Sequence, residues 1–388
     1  MKLRPLGGNR IDLLCCGAEY FPALIAAIDA ARHEVLLETY IFARDDTGAA
    51  VLAALRRAAS RGVDVRLLVD GFGAKGFVDE MFGSLEAEGI HLRVFRRELT
   101  KFSLQRHRLR RMHRKLVAID GRTAFVGGIN IVDDVDPRSP APHRFDFAVR
   151  IQGPLVTRVH AAMTRLWRLV SWASFRARRP DFESGIVPAR ARAGALRATF
   201  LVRDNLRHRR DIESAYLDAI RKARAEIVIA NAYFFPGGAF RHALMDAAKR
   251  GVRVTLLLQG RIEYWLLYHA CRVLYPHLME SGVRIVEYRK SFLHAKVAVI
   301  DNAWATVGSS NIDPFSLLLA REANVVVFDE GFAVRLRARL EEAIDDGGAL
   351  LEPDHWVRLG WWQRTLDWCC FGLLRFLMGV AGLARRAA

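Results

Sequence analysis

Cysteine is scarce in this chain, and where it occurs it makes no motif. The five are Cys15, Cys16, Cys271, Cys369 and Cys370, with no C-x-x-C pair among them. Adjacent cysteines do not readily bridge each other, so neither a disulfide framework nor a cysteine zinc site is expected, and the thiols suit a reducing, cytosolic setting. Acids are also in deficit, 42 against 59 Lys and Arg, giving a net charge of +17 at pH 7. That excess draws a chain to polyanions, either nucleic acid or an anionic membrane, and composition does not choose between them. Long apolar runs are missing too. The N-terminal residues carry no basic stretch followed by an apolar one, so no signal peptide is expected. Residues 35–42 are apolar but too short to span a bilayer, and Glu38 interrupts them. Core material is not lacking. Hydrophobic residues make up 52% of 388 positions, which excludes a disordered tail protein and suffices for two medium domains or one duplicated unit.

What is present is present twice. His113-Arg-Lys115-Leu-Val-Ala-Ile-Asp120 returns about half a chain later as His294-Ala-Lys296-Val-Ala-Val-Ile-Asp301. Flanking runs repeat in step: Glu34-Val-Leu-Leu-Glu-Thr-Tyr-Ile-Phe42 parallels Glu226-Ile-Val-Ile-Ala-Asn-Ala-Tyr-Phe234, and residues 62–71 parallel residues 251–260. Apolar spacing of three and four predicts helices over 20–32, 47–60, 212–223 and 239–250, with short Val/Ile/Leu strands between them. Alternating helices and strands indicate an α/β fold of two like halves. The Pro- and Gly-bearing residues 176–197 form the expected connection, between a first half at 1–175 and a second at 198–350.

Residues i and i+2 of a strand face the same way, so His113 shares a face with Lys115, and His294 with Lys296. Each Asp is followed by a short strand and a small-residue turn ending in an amide: Gly127-Gly128-Ile-Asn130 and Gly308-Ser309-Ser310-Asn311. Small residues permit close backbone approach to a ligand, and Asn, Lys and Ser309 are expected to donate to phosphate oxygens. One H-x-K alone is as well explained by an ordinary strand with surface side chains; two copies with matching turns are not. A metal site is not expected, because pairing each imidazole with a cation repels a divalent ion.

The doubled pattern H-x-K-x4-D-x6-G-[GS]-x-N resembles the phospholipase D superfamily, and the resemblance runs from Ile11 to Phe328. Tyr233-Phe-Phe-Pro236 and Gly308-Ser-Ser-Asn-Ile-Asp-Pro-Phe-Ser316 look most like bacterial cardiolipin synthases of the short type, without N-terminal transmembrane helices. This implies a duplicated phospholipase-D-like fold, two mixed-sheet halves flanked by helices with pseudo-two-fold symmetry around one site. It also implies transfer of a phosphatidyl group between phosphatidylglycerol molecules through a covalent phosphohistidine, with no cofactor or metal. The expected site is His113, Lys115, Asp120, His294, Lys296 and Asp301, supported by Asn130 and Asn311. Asp120 and Asp301 stand as candidates to orient the imidazoles or only to brace the core. The resemblance points instead to Glu322 for His113 and Asp146 for His294, each from the opposite half. It makes His113 the nucleophile and His294 the acid, then the base.

Residues 93–115 hold ten Lys or Arg and one acid, Glu98, interleaved with Phe95, Phe102 and Met112. That is a surface suited to anionic headgroups or to single-stranded nucleic acid, or simply a solvated loop. The C-terminal residues 351–388 bring Trp361, Trp362, Trp368 and a sixteen-residue apolar run broken by Arg375, which fits an interfacial helix or one packed on the enzyme itself. Tyr233–Pro236 and Tyr264–Tyr268 add aromatic surface suited to acyl chains or to core. A lipid substrate makes use of these residues and a nuclease leaves them idle. The expected partners are therefore anionic phospholipid and a membrane surface rather than nucleic acid, with the protein peripheral on the cytoplasmic side of a bacterial membrane. Two readings compete with transfer: hydrolysis of phosphodiesters by a phospholipase or nuclease, and anionic-lipid binding without catalysis, which would need neither imidazole.

Overall fold

The computed structural model describes residues 3–96, 111–133, 144–173, 191–204, 207–313, 320–352 and 360–380. The first half runs β1 (Leu6–Cys15), α1 (Cys16–Asp29), β2 (Glu34–Thr39), α2 (Asp46–Ser60), β3 (Asp64–Asp70), α3 (Lys75–Ala87), β4 (Ile90–Phe95), β5 (Lys115–Ile119), β6 (Thr123–Gly127), β7 (Phe147–Gln152) and α4 (Val156–Ala173). The second runs β8 (Leu196–Arg203), α5 (Asp211–Lys222), β9 (Glu226–Asn231), α6 (Gly238–Lys249), β10 (Arg253–Gln259), α7 (Trp265–Arg272), α8 (Tyr275–Glu280), β11 (Arg284–Tyr288), β12 (Lys296–Ile300), β13 (Trp304–Gly308), β14 (Glu322–Phe328), the long helix Glu330–Gly347 and β15 (Gly348–Leu350). A last helix spans Trp361–Val380.

The strands join in the order β15-β11-β10-β9-β12-β13-β14-β8-β1-β7-β6-β5-β2-β3-β4. Read outward from the β8–β1 junction, the two sides match strand for strand, and among the described residues β15 alone has no counterpart. Each side is mixed: β2-β3-β4 and β9-β10-β11 are parallel, the rest antiparallel. This is the duplicated, mixed-sheet α/β fold expected from the repeat. The four expected helices form, and α1 differs most, beginning at Cys16 directly after β1. There Cys16 takes φ +59°, and the Cys15 N–H donates to the Glu19 carboxylate at 2.8 Å, closing the first turn.

Apolar periodicity explains what each layer buries. α2 starts on Asp45, whose carboxylate accepts from the Gly48 N–H at 2.8 Å, and turns Val51, Leu52, Leu55 and Ala58 inward. One cluster serves the first half, with Leu24, Leu55, Leu67 and Phe125; another serves the second, with Ile229, Leu244, Leu256 and Leu278. A third joins the halves, packing Met112, Phe147 and Val149 with Leu293, Val297 and Val325 under α4 and the long helix. Because that shared core abuts both His segments, it fixes one half against the other where the site forms.

The last helix packs Cys370, Leu374 and Met378 into the second-half core, while Trp361, Trp362, Trp368, Leu373, Phe376 and Leu377 are exposed. The packed alternative therefore holds for one face, and the other face is apolar and exposed. No helix among the described residues is long and apolar enough to cross a membrane. Most of the connection at 176–197, and most of the basic run at 93–115, lie outside the described residues.

Candidate active site

The His segments sit just before β5 and β12, where each half's backbone pairs with the other's. The His113 N–H donates to the Arg321 carbonyl at 3.0 Å, and the Arg321 N–H to the Arg111 carbonyl at 2.7 Å. On the opposite side the His294 N–H donates to the Phe145 carbonyl, and the Phe145 N–H to the Phe292 carbonyl, each at 2.9 Å. Each His is thereby held beside the first residues of the other half's acid-bearing strand. The acids consequently cross: His113 Nδ1 lies 3.1 Å from Glu322, and His294 Nδ1 lies 2.6 Å from Asp146. Both carboxylates are buried. An acid at Nδ1 leaves Nε2 of each ring as the free, reactive nitrogen.

Lys115 and Lys296 are buried on the same side as their histidines, each ammonium donating to the carbonyl of its own His113 or His294. Lys296 Nζ is also 3.6 Å from Asp146. Burial lowers the Lys115 ammonium to about 7, opposed first by Glu322. Burial likewise lowers Lys296 to about 8, opposed first by Asp146. Burial and Lys296 pull His294 down to about 4 against Asp146. Burial and Lys115 lower His113 against Glu322. Each imidazole also feels the other half's lysine, so the two copies make one site. Burial thus favours the neutral form of both rings, and a phosphate anion favours charging the lysines and His294.

Several expected roles do not fit this geometry. Asp120 and Asp301 are not at the site: they lie at the far ends of five-residue strands, roughly 20 Å along the chain from His113 and His294. Asp120 accepts from the N–H groups of Arg32, His33 and Glu34, and Asp301 from those of Arg224, Ala225 and Glu226, at 2.8–2.9 Å. Both stand at positive φ, +50° and +52°. They pin the start of β2 and β9, a bracing task. Ser309 is not aimed at phosphate either, because its hydroxyl donates to Glu322 at 2.5 Å. Its counterpart Gly128 leaves room for Asp146, whose carboxylate would lie 2.4 Å from a Cβ there. Asn130 is buried, with its Oδ1 accepting the Ile41 N–H at 3.3 Å, and Asn311 is buried beside Ser310. Phe234 and Phe235 are core, not acyl-chain surface.

Other residues border the site without a motif to announce them. Tyr40 lies edge-on to His113, ring centroids 5.0 Å apart, with Lys115 Nζ 5.4 Å from its ring centre. Asp70 takes the Met112 N–H at 2.8 Å. On the His294 side, Glu263 accepts from the Tyr233 hydroxyl and pairs with Arg144 at 3.2 Å. Pairing each H-x-K with its flanking strand ends, rather than reading the motif alone, is the signal that finds Tyr40 and Asp70. No group of three or more His, Cys, Asp or Glu forms a metal-ligand set among the described residues.

The chain matches the family model described as cardiolipin synthase, PLD-like domain, over residues 24–167 and 216–344. It is 38% identical over 392 residues to cardiolipin synthase B of Escherichia coli strain K12, covering 98% of this chain and 92% of that protein. A probable cardiolipin synthase of Bacillus subtilis is 29% identical over 361 residues, covering 92% of this chain and 70% of that one. Phosphatidylserine synthase of Haemophilus influenzae has the same fold, with a TM-score of 0.70 and 13% identity over 100% of this chain and 98% of that one.

Proposed function

The chain belongs to the phospholipase-D-like cardiolipin synthase family, and from that premise we propose that it is a phosphatidyltransferase making cardiolipin from phosphatidylglycerol. The observation that carries the reading is the crossed pairing of two imidazoles with buried acids, His113 with Glu322 and His294 with Asp146, over two buried lysines.

His113 Nε2 attacks the phosphorus of one phosphatidylglycerol as its bond to the glycerol oxygen breaks, and His294 donates the proton that lets glycerol leave. The phosphatidyl group then rests on His113 as a phosphohistidine. A hydroxyl of a second phosphatidylglycerol attacks that phosphorus, gives its proton to His294, and frees His113. Lys115 and Lys296 balance the charge on the phosphoryl oxygens in both steps. Glu322 favours the cationic ring that phosphorylated His113 carries, and Asp146 favours the imidazolium of His294.

The protein works as a peripheral enzyme on the cytoplasmic side of a bacterial membrane. The exposed Trp361, Trp368 and Phe376 face, the net charge of +17 and the lack of a disulfide among the described residues support this. Labelled phosphatidylglycerol in mixed micelles tests the reaction. Cardiolipin with one glycerol released per molecule formed is expected. Phosphatidic acid with glycerol as sole products makes it a hydrolase, and no lipid turnover removes the reading.

A further inference from the structure

The two halves agree at the histidines and disagree on the walls beside them. Strand register equates Tyr40 with Ala232, Ile41 with Tyr233 and Asp70 with Gln259, and Glu263 stands in the loop that follows β10. The first-half wall is thus an aromatic ring with a fully engaged acid: Asp70 accepts the N–H groups of Phe72, Gly73 and Met112. The second-half wall is polar and has unused capacity.

A cavity of about 30 Å³ opens there, lined by Tyr233, Gln259, Arg261, Glu263, Tyr264 and Tyr268. One water needs about 10–15 Å³, so the space takes one or two hydroxyl-sized groups. Gln259 is 8% exposed, and its Oε1 accepts the Leu293 N–H at 3.1 Å. That bond fixes the amide's orientation and leaves Nε2 buried without a partner among the described residues. The same cavity is lined by Glu263, its carboxylate clamped by the Tyr233 hydroxyl and Arg144. Burial pushes that carboxyl up, but the Tyr233 hydroxyl and Arg144 outweigh it and hold it below the usual carboxylate range. An unpaired buried donor and a fixed acceptor lining one cavity are complementary to an alcohol, which donates one hydrogen bond and accepts another.

We propose that the Gln259–Glu263–Tyr233 cavity is a hydroxyl-reading subsite that selects polyol alcohols for the chemistry at His294. A free hydroxyl of a glyceryl headgroup donates to Glu263 and accepts from Gln259 Nε2, while the neighbouring hydroxyl or ester oxygen meets His294. The inference rests on the phosphatidyl-transfer reading, and it explains why the polar wall lies beside the histidine that handles the alcohol's proton. A simple monohydric alcohol leaves the buried Gln259 Nε2 unsatisfied, and sites with such a group discriminate strongly.

The test is a competition. The full chain receives phosphatidylglycerol in mixed micelles with glycerol or n-propanol as acceptor, and kcat/KM is measured for each phosphatidyl product. Wild type is expected to favour glycerol, and Glu263→Gln to lower the glycerol-to-propanol ratio about tenfold or more. Glu263→Asp should recover part of the ratio. Tyr233→Phe, which frees Glu263 without changing its charge, gives a second reading should Glu263→Gln fail to fold. Absence of any phosphatidyl alcohol in wild type defeats the transfer reading itself. Transfer without preference for glycerol, or variants that keep the wild-type ratio, overturns the subsite alone.

Discussion

Glu322 Oε1 lies 3.1 Å from His113 Nδ1 across 209 residues of chain. The contact exists because Arg321, one residue earlier, exchanges backbone hydrogen bonds with Arg111 and His113. A carboxylate so placed fixes the ring's tautomer and turns its other nitrogen to the site.

Glu322→Gln keeps the shape and removes the charge, so kcat should fall about a hundredfold or more, with KM for lipid changing far less. Ser309→Ala removes only the hydroxyl that steadies Glu322, and a fall in kcat of about tenfold or less is expected. Steady-state kinetics on both variants check this. A raised KM with normal kcat in Ser309→Ala would return that serine to a phosphate-binding role.

Asp120→Ala and Asp301→Ala should cost stability and spare the chemistry. Each loses three N–H partners and puts alanine at positive φ, together about 1–3 kcal/mol. Burial pushes the Asp301 carboxyl up, but three backbone N–H groups hold it below the usual carboxylate range. A depressed folded value stabilises above the ordinary carboxylate pKa, and that contribution disappears as pH falls through the folded value. Melting curves should therefore show Asp301→Asn losing less stability on acidification than wild type. Loss of kcat per folded molecule would put the aspartates back in the site.

The duplication was legible because each His, Lys and strand lies within a few consecutive residues. So were four helices, whose apolar spacing is local. The far end of each relationship was not. Asp120 finds its partners 86–88 residues away, so its bracing role emerges only once β2 lies beside β5. β1, reading Leu-Gly-Gly-Asn-Arg-Ile-Asp-Leu-Leu-Cys, lacks strand alternation yet makes the junction between halves through β8. Glu263 precedes an aromatic run that draws attention as apolar surface, and its acid matters only because Tyr233 and Arg144 fold against it.

Anion binding should carry protons with it. Lys115 and Lys296 are held by burial at about 7 and about 8, and a phosphate-like anion raises both. Tungstate affinity should be highest below about pH 7 and fall as pH rises through 8, with proton uptake near neutrality. Calorimetry in buffers of different ionisation heat measures that uptake. Affinity that is flat across the range, with no proton uptake, would mean the lysines are already charged before the anion binds.

The last helix separates membrane attachment from folding by face. Replacing Trp361, Trp368 and Phe376 together with serine should weaken co-sedimentation with anionic vesicles about tenfold or more at unchanged melting temperature. Leu374→Ala on the inner face should instead cost about 2–5 kcal/mol of stability. Vesicle binding untouched by the outer-face triple variant would move the attachment surface elsewhere.

The division of labour between the two imidazoles is tested most directly by trapping the intermediate with labelled phospholipid in His113→Ala and His294→Ala. With a donor whose leaving group needs no proton, His294→Ala should still place label on His113, and His113→Ala should take up none. Label on His294 in the His113→Ala protein would contradict the account by exchanging the two roles.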